Sequence, residues 1–424
     1  MKKIIKAIVP SFLLNWYHLF WAWFWSLFYK NPSKKITLIG ITGTKGKSST
    51  IEITNAILEK AGHKTALSSS LRFKFDNESR TNNLKMTMPG KGFLQKFLYK
   101  ALKNNCQVAL IEVTSEGILQ FREKFLDFDI KVFLNLQPEH LERHKGFENY
   151  KKAKGKFFKG SKKATHIINL DDKNTDYFLS FEAKEKIGFS LKENNPFKEK
   201  VDKFIFVNSY QLSKKGIDFV LLPFQERLFS PLVGEFNLYN ILAAISIALS
   251  LKVDLSTIKG ALLSFKNIPG RFEVFEREYF KVVLDYAHTP DSLEAVLKTI
   301  KQTFLPDYLI CLSGAAGGGR DKWKRPKMGE ILDKYCQKII LTNEDPYDEN
   351  PEKIIEDIKR GIKNKEKIEE IISRREAIKR GIELVQSRGN SVFGVLGKGS
   401  ETQMVIKGGK KIPWSDKKII KEFL

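Results

Sequence analysis

The stretch Gly43-Thr44-Lys45-Gly46-Lys47-Ser48-Ser49 sets glycines, lysines and hydroxyls between an apolar run and a helix-like pattern. Backbone N–H groups of a glycine turn at a helix start bind phosphate, because the donors are free and the helix dipole favours anions. In such a loop Lys47 would reach the terminal phosphates of a nucleotide, and the Ser48 hydroxyl would ligate Mg2+. The common nucleotide-binding pattern asks for a further glycine at position 41, where this chain has Ile41. The loop is therefore a compact variant, outside the commonest P-loop families. Its bland alternative is a plain strand-to-helix turn.

Downstream, Glu112 lies in IEVTSEG, at the expected C-terminal end of a strand. That edge is where open α/β sheets bind ligands. A carboxylate there could hold the magnesium of a nucleotide, since Mg2+ binds protein through one or two carboxylates. Exposed loop glutamates are also common. His140 and His144 follow the next apolar run, four positions apart. Zinc could use such a pair on a helix, but no third ligand and no HExxH pattern accompanies it. Residues 314–330, GAAGGGRDKWKRPKMGE, put a glycine loop beside Arg320, Lys322, Lys324 and Arg325. Charge-assisted contacts to phosphate account for that mixture. A nucleic-acid surface would show interleaved aromatics or a reading helix instead. LDYAHTP carries Asp285 and His288 at the tip of a further apolar run.

These side chains need elements to hold them. From about residue 35, short apolar runs alternate with helical patterns, the signature of a parallel α/β sheet. Strands are expected at 36–41, 108–114, 130–136 and 165–170. A β-rich stretch with a hairpin-bearing edge follows over 186–230, then helices over 236–251 and 254–265. Pro269 and Gly270 break the pattern, and alternation restarts with runs at 281–288, 308–314, 338–346 and 391–399. The expected architecture is α/β, with a hydrophobic N-terminal segment over 1–34. A P-loop-containing central parallel-sheet domain follows over 35–268, and a smaller Rossmann-like α/β C-terminal domain over 269–424.

With 42 % hydrophobic and 29 % charged residues, a 424-residue chain buries substantial cores and is not disordered. The formal charge of +24 suits nucleotides, nucleic acid or acidic lipid, and equally a solvated basic surface, so it selects no function. Cys106, Cys311 and Cys336 lack CxxC spacing, which argues for reduced thiols in a cytoplasmic setting and against a disulfide framework. Residues 8–29, IVPSFLLNWYHLFWAWFWSLFY, are almost wholly apolar, with Lys2, Lys3 and Lys6 before them and Lys30, Lys34 and Lys35 after. No small-residue cleavage site marks a secretory signal. Pro10, Asn15 and His18 interrupt the segment as a spanning helix. It reads as a membrane-surface anchor, which Trp, Tyr and flanking Lys suit, or as a helix packed on the domain that follows. In either case the catalytic body faces the cytoplasm.

Ten segments occur in one order over roughly residues 36–416: GITGTKGKSST, EVTSEG, NLQPEHLERH, ENYKKAKGKFF, PLVGEFNLYNILAA, IPGRFE, DYAHTPDSLE, GGGRDKWKRPKMGE, DPYDENP and GKGSE. Together they resemble the Mur ligases, ATP-dependent amide-forming enzymes of peptidoglycan precursor synthesis. The likeness is greatest to the MurE type, which adds the third residue of the stem peptide. The resemblance implies that Gly43, Thr44, Lys45, Gly46, Lys47, Ser48 and Ser49 cradle ATP, with Ser48 on a first Mg2+. Glu112 and His140 would help position two metal ions, and Lys154, if carbamylated, would ligate the second. Lys47, Glu112, His140 and Lys154 are thus the implied catalytic set. Asn240 and Arg271 would contact the nucleotide, joined by Asp285, His288 and Arg320 from the C-terminal domain. Thr87, Arg320, Asp321, Asp345, Pro346, Gly397 and Glu401 would bind the two substrates, a UDP-muramoyl-peptide-like carboxylate and an amino acid. Transfer of the ATP γ-phosphoryl group to that carboxylate gives an acyl phosphate, which the incoming amine attacks. No nucleic-acid partner is implied.

Three departures stand out. The MurE pattern begins with a domain that grips the uridine nucleotide, and this chain has only about 35 residues there; the usual N-terminal UDP-binding domain is expected to be missing. KMTMPG at 85–90 keeps Thr87 of the family's Thr-Thr-Pro substrate loop but has Met88 for the second threonine. Where diaminopimelate-adding members carry Asp-Asn-Pro-Arg, this chain reads Glu344-Asp345-Pro346-Tyr347, without the arginine that would pair with the distal carboxylate. An acidic pair there suits an amine side chain such as lysine or ornithine. The alternatives are a folylpolyglutamate- or cyanophycin-synthetase-like ligase with another acceptor, which DYAHTPDSLE argues against, and a non-catalytic, membrane-associated nucleotide-binding protein.

Overall fold

The computed structural model describes residues 11–90 and 92–424. Residues 8–10 of the apolar segment, with Lys2, Lys3 and Lys6, lie outside them. The chain enters through helix α1 (Ser11–Phe28), which contains no Asp, Glu, Lys or Arg. Its C-terminal end is anchored: the Trp25 indole lies against Gly92, and Tyr29 just beyond meets Tyr99 at 5.4 Å between ring centroids. Along the rest, Trp16, Phe20, Trp23, Leu27 and Phe28 are exposed. No helix of the described residues is long and apolar enough to cross a membrane.

The larger sheet contains β1 (Thr37–Thr42), β2 (Thr65–Ser68), β3 (Arg72–Phe75), β4 (Glu78–Thr81), β5 (Val108–Val113) and β6 (Ile130–Phe133). It continues with β7 (Ser161–Asn169), β8 (Ala183–Ser190), β9 (Lys203–Ser213), β10 (Gly216–Leu222) and β11 (Glu226–Ser230). Their order is β11-β10-β9-β8-β7-β6-β1-β5-β2-β3-β4. β1 lies between β5 and β6 in parallel register, Ile41 beside both Glu112 and Val132, and core residues cover both its faces. Burial on two faces explains why these strands read as continuous apolar runs. The hairpin edge expected over 186–230 is present, because β9, β10 and β11 are antiparallel. The strands β2 to β4 went unanticipated. Each is only four residues long, and β4 (ESRT) is exposed throughout, so it has no apolar period.

Helix α2 (Lys47–Lys60) starts directly after the glycine loop, and α3 (Phe93–Lys103) and α4 (Phe147–Phe158) cover the opposite face. α5 (Glu235–Ser250) is apolar nearly all round because it packs against both α2 and the sheet.

The second sheet comprises β12 (Glu273–Glu276), β13 (Phe280–Asp285), β14 (Tyr308–Ser313), β15 (Lys338–Leu341), β16 (Ile368–Glu370) and β17 (Ser391–Leu396). Its order is β12-β13-β17-β14-β15-β16, parallel apart from β12. Helices α6 (Pro290–Phe304) and α7 (Lys324–Tyr335) lie on one face. The α7 crossover returns the chain beside β14, bringing Cys336 within 6.1 Å of Cys311, Cα to Cα, where the two form a disulfide. This corrects the expectation of three reduced thiols; Cys106 is free and buried. Spacing gave no hint, because Cys311 on β14 and Cys336 at the end of α7 lie 25 positions apart and are brought together only by the fold.

Candidate active site

The C-terminal end of β1 delivers the glycine loop to the N-terminus of α2. Gly46 has φ +85°, and a Cβ there would stand 2.3 Å from Asn240 Oδ1 on α5, so both backbone and space demand glycine. Asn135, just past β6, staples the loop: its Oδ1 accepts from the Thr44 and Lys45 amides at 3.1 and 2.9 Å, and its Nδ2 donates to the Lys45 carbonyl.

Lys47 folds its ammonium onto its own loop, donating to the Gly43 and Thr44 carbonyls at 2.9 and 3.0 Å. Burial lowers its pKa, against the pull of Glu112 and Glu139. Lys154 on α4 is 2 % exposed and donates to the same Gly43 carbonyl at 2.9 Å. Burial first, and the Lys47 charge second, hold its pKa well below the usual lysine range. Ser48 Oγ lies 2.8 Å from Ser70 Oγ, and the Ser70 amide donates to Glu112 Oε1 at 2.8 Å. Loop, hydroxyl and carboxylate thus form one patch.

The second sheet supplies the facing wall. Asp285 accepts from the Phe272 and Ala287 amides, both at 2.7 Å, and Arg271 lies over the Tyr286 ring at 4.3 Å. Asp321 accepts from the Leu141 and Glu142 amides at 3.3 and 3.2 Å, joining the two sheets. Glu139 bridges them as well, its Oε1 lying 3.1 Å from Lys45 Nζ and 3.3 Å from His288 Nε2. Burial would raise its pKa, yet Lys45 and His288 hold it well below the usual carboxylate range.

Of the residues picked out from sequence, Thr44, Lys45, Gly46, Lys47, Ser48, Ser49, Thr87, Glu112, His140, Asn240, Arg271, Asp285, His288, Arg320, Asp321 and Glu401 line one cleft of about 1300 Å³. Gly43, Lys154, Asp345, Pro346 and Gly397 stand behind its wall. Gly43 and Lys154 meet there, Asp345 is tied to the fully buried Lys398, and the Pro346 carbonyl closes a turn with the Glu349 amide. Gly397, at φ +112°, packs on Glu344: a Cβ there would stand 2.5 Å from Oε2. Met88 is 1 % exposed, and a Cβ on Gly117 would run into its sulfur, so the residue replacing the second threonine is part of the core.

One expectation needs correcting. Arg325 is not available to phosphate, being buried between Glu349 and Asp357 at 2.9 and 3.0 Å; Lys324 donates to the His288 carbonyl. The His144 Nε2 meets Ser115 Oγ at 3.0 Å. Sequence reasoning also passed over Asn135, Glu139, Lys85 and Lys398. Glu139 stands next to a residue that was singled out, and nothing in its local pattern marks it.

The residues present fit ATP and Mg2+. Phosphates would meet the first-turn amides of α2, which have no partner within the helix, and the Lys47 ammonium, which donates to the Gly43 and Thr44 carbonyls. Ser48 and Glu112 offer oxygens of the kind Mg2+ takes, and no group of three or more His, Cys, Asp or Glu among the described residues forms a closed cage. CO2 adds to an unprotonated amine, the form that burial favours at Lys154.

These features define a nucleotide-dependent enzyme in which two α/β bodies close on one cleft. The profile of the Mur ligase middle domain matches residues 41–248, and that of the Mur ligase, glutamate ligase domain matches residues 270–399. The chain is 34 % identical over 402 residues to UDP-N-acetylmuramoyl-L-alanyl-D-glutamate–2,6-diaminopimelate ligase 1 of Clostridium acetobutylicum, covering 94 % of this chain and 80 % of that relative. Identity to the corresponding ligase of Aquifex aeolicus is 35 % over 399 residues, covering 94 % and 79 %. A solved structure of such a diaminopimelate ligase superposes with a TM-score of 0.62 at 28 % identity, covering 92 % of this chain and 78 % of that one. Mycobacterium tuberculosis folylpolyglutamate synthase complexed with ADP and AMPPCP gives 0.72 at 14 % identity, covering 89 % and 92 %, a likeness of fold alone. The chain belongs to the Mur ligase family.

Proposed function

We propose that this chain is an ATP-dependent ligase of MurE type, which activates the carboxylate of a UDP-muramoyl-peptide precursor as an acyl phosphate and joins it to an amino acid in peptidoglycan synthesis. The observation that carries the reading is one cleft lined by both the phosphate loop and Glu401, with Asp345 just behind its wall on Lys398. A poor electrophile and a weak nucleophile must meet there, and two bodies closing on one cleft bring them together and shed water.

In this reading the loop from Gly43 to Ser49 holds the ATP phosphates, and Asn240, Arg271, Asp285, His288 and Arg320 hold the rest of the nucleotide. Lys47 neutralises charge as it develops on the transferred phosphoryl group. Ser48, Glu112, His140 and a carbamylated Lys154 would hold Mg2+, which when bound supplies further charge neutralisation. Thr87 faces the carboxylate substrate, and Asp321, Asp345, Pro346, Gly397 and Glu401 frame the acceptor. Residues 35–268 and 269–424 act as the two working domains. The folylpolyglutamate-synthase-like alternative has support in fold but not in identity.

The test is an ATPase and product screen with UDP-muramoyl dipeptide paired with diaminopimelate, lysine, ornithine and other amino acids. Phosphate release should require both substrates and match amide formed; no amide with any pair would sink the proposal. The same reading puts α1 on the inner face of a membrane, with the body in the cytoplasm, through exposed aromatics flanked by exposed Lys30, Lys34 and Lys35. The protein should then co-sediment with anionic vesicles, and replacing Trp16, Trp23 and Phe28 by serine should abolish this without lowering turnover.

A further inference from the structure

At the acceptor end of the cleft, a carboxylate pocket is filled from two directions by residues of this chain. Lys398 Nζ, fully buried, lies 2.9 Å from Asp345 Oδ1 and 2.7 Å from Glu401 Oε2. Lys85 belongs to the other sheet's loop after β4, yet its ammonium reaches the same two carboxylates, 2.7 Å from Asp345 Oδ2 and 3.0 Å from Glu401 Oε2. The loop that carries Lys85, whose backbone sits at φ +50°, is held on both sides of it. Asn82 Nδ2 donates to the Ser69 and Met86 carbonyls at 2.7 and 3.2 Å, and Thr402 Oγ1 donates to Asn83 Oδ1 at 2.8 Å.

We propose that Lys85 is a resident ammonium occupying the acceptor's side-chain subsite, displaced by an acceptor that carries a side-chain ammonium of its own. The inference rests on the ligase reading. Without Lys85, the Lys398 ammonium would be the one cation within salt-bridge distance of both Asp345 and Glu401 among the described residues, with Arg374 and Arg320 acting on Asp345 from farther off and buried Glu344 adding a third carboxyl group. A second close ammonium, from Lys85 or from the ligand, is therefore favoured there. A neutral side chain cannot take that place, so the pocket discriminates by charge as well as by size. Lys85 also lies two residues before Thr87, so its withdrawal frees the loop that faces the carboxylate substrate. Lys85 is in this sense a specificity-determining and positioning residue, not a catalytic one.

The test compares ornithine with norvaline, the same skeleton without the terminal amine, as acceptors for wild type, K85M and K85R. Steady-state rates are measured with ATP and UDP-muramoyl dipeptide, and ornithine binding is measured by calorimetry without turnover. A subsite filled by Lys85 nine-tenths of the time weakens acceptor binding about tenfold. K85M should then lower both KM and Kd for ornithine about tenfold without raising kcat, and should leave norvaline unimproved. K85R keeps the charge and should behave as wild type. Unchanged or weaker ornithine binding in K85M, or an equal gain for norvaline, overturns the proposal. Absence of amide with every acceptor overturns the ligase reading instead, while the calorimetric comparison still decides the role of Lys85.

Discussion

Lys154 holds its amine against the Gly43 carbonyl, and burial first and the neighbouring Lys47 second pull its pKa well below the usual lysine range. Its pKa is lower folded than unfolded, so below the ordinary lysine range the unfolded chain binds the extra proton and stability rises with pH. Lys154→Met removes that penalty. It should raise Tm at neutral pH, by roughly 2–4 °C for each kcal/mol relieved, and lower ligase turnover on the order of 100-fold or more. Calorimetric scans and amide assays check the two effects, and a Met variant that kept its turnover would remove Lys154 from the machinery. Glu123 has the opposite sign. Burial pushes its carboxyl up to about 7, and Oε2 has no hydrogen-bond partner among the described residues. The folded state therefore keeps a proton the unfolded chain has lost, and stability falls as pH rises from the usual carboxylate range through about 7. Urea titrations across that range should show the fall in wild type and a flat response in Glu123→Gln. Lys47 and Ser48 stood out in the sequence because a phosphate loop fixes residue type and local spacing, whereas Glu112 was a weak signal outside the family resemblance. Glu139 and Lys85 were not, since their partners lie 94 and 260 positions away for Lys45 and Asp345.

The loop, α2 and α5 behave as one element, because Gly46 has no room beside Asn240. Gly46→Ala adds both a contact and a backbone conformation that alanine resists, together about 1–3 kcal/mol. It should push α2 away from α5, weakening ATP binding about tenfold or more by calorimetry and lowering Tm, and unchanged nucleotide affinity would detach the loop from the ATP site. Fully buried strands such as β1 and β5 announced themselves by unbroken apolar runs. The short strands β2 to β4 did not, since what makes them strands is the neighbour each pairs with, Thr65 beside Val108 and Phe73 beside Arg80. α1 was legible as a helix, but its position was not: its fate depends on which surface its exposed aromatics meet.

At the scale of the whole molecule, the two sheets are held over one cleft by few but specific contacts, including Asp321 on the amides at Leu141 and Glu142 and Glu139 on His288. Asp321→Ala removes two hydrogen bonds across that boundary. Small-angle scattering should show a broader distribution of interdomain distances, and kcat should fall about 10- to 100-fold with a smaller change in KM for ATP; an unaltered scattering curve would mean closure is set elsewhere. Both flanks of the eleven-stranded sheet also have a consequence. A sheet this wide offers backbone donors and acceptors to any passing extended chain. On one flank, however, β4 presents exposed Glu78, Ser79, Arg80 and Thr81; on the other, Arg227 and Glu226 of β11 are tied to Asp218 and Lys259. An intruding strand would have to strip water from these charges before gaining a single ladder bond. The enzyme can therefore be concentrated in a crowded cell without its largest structural element seeding fibrils.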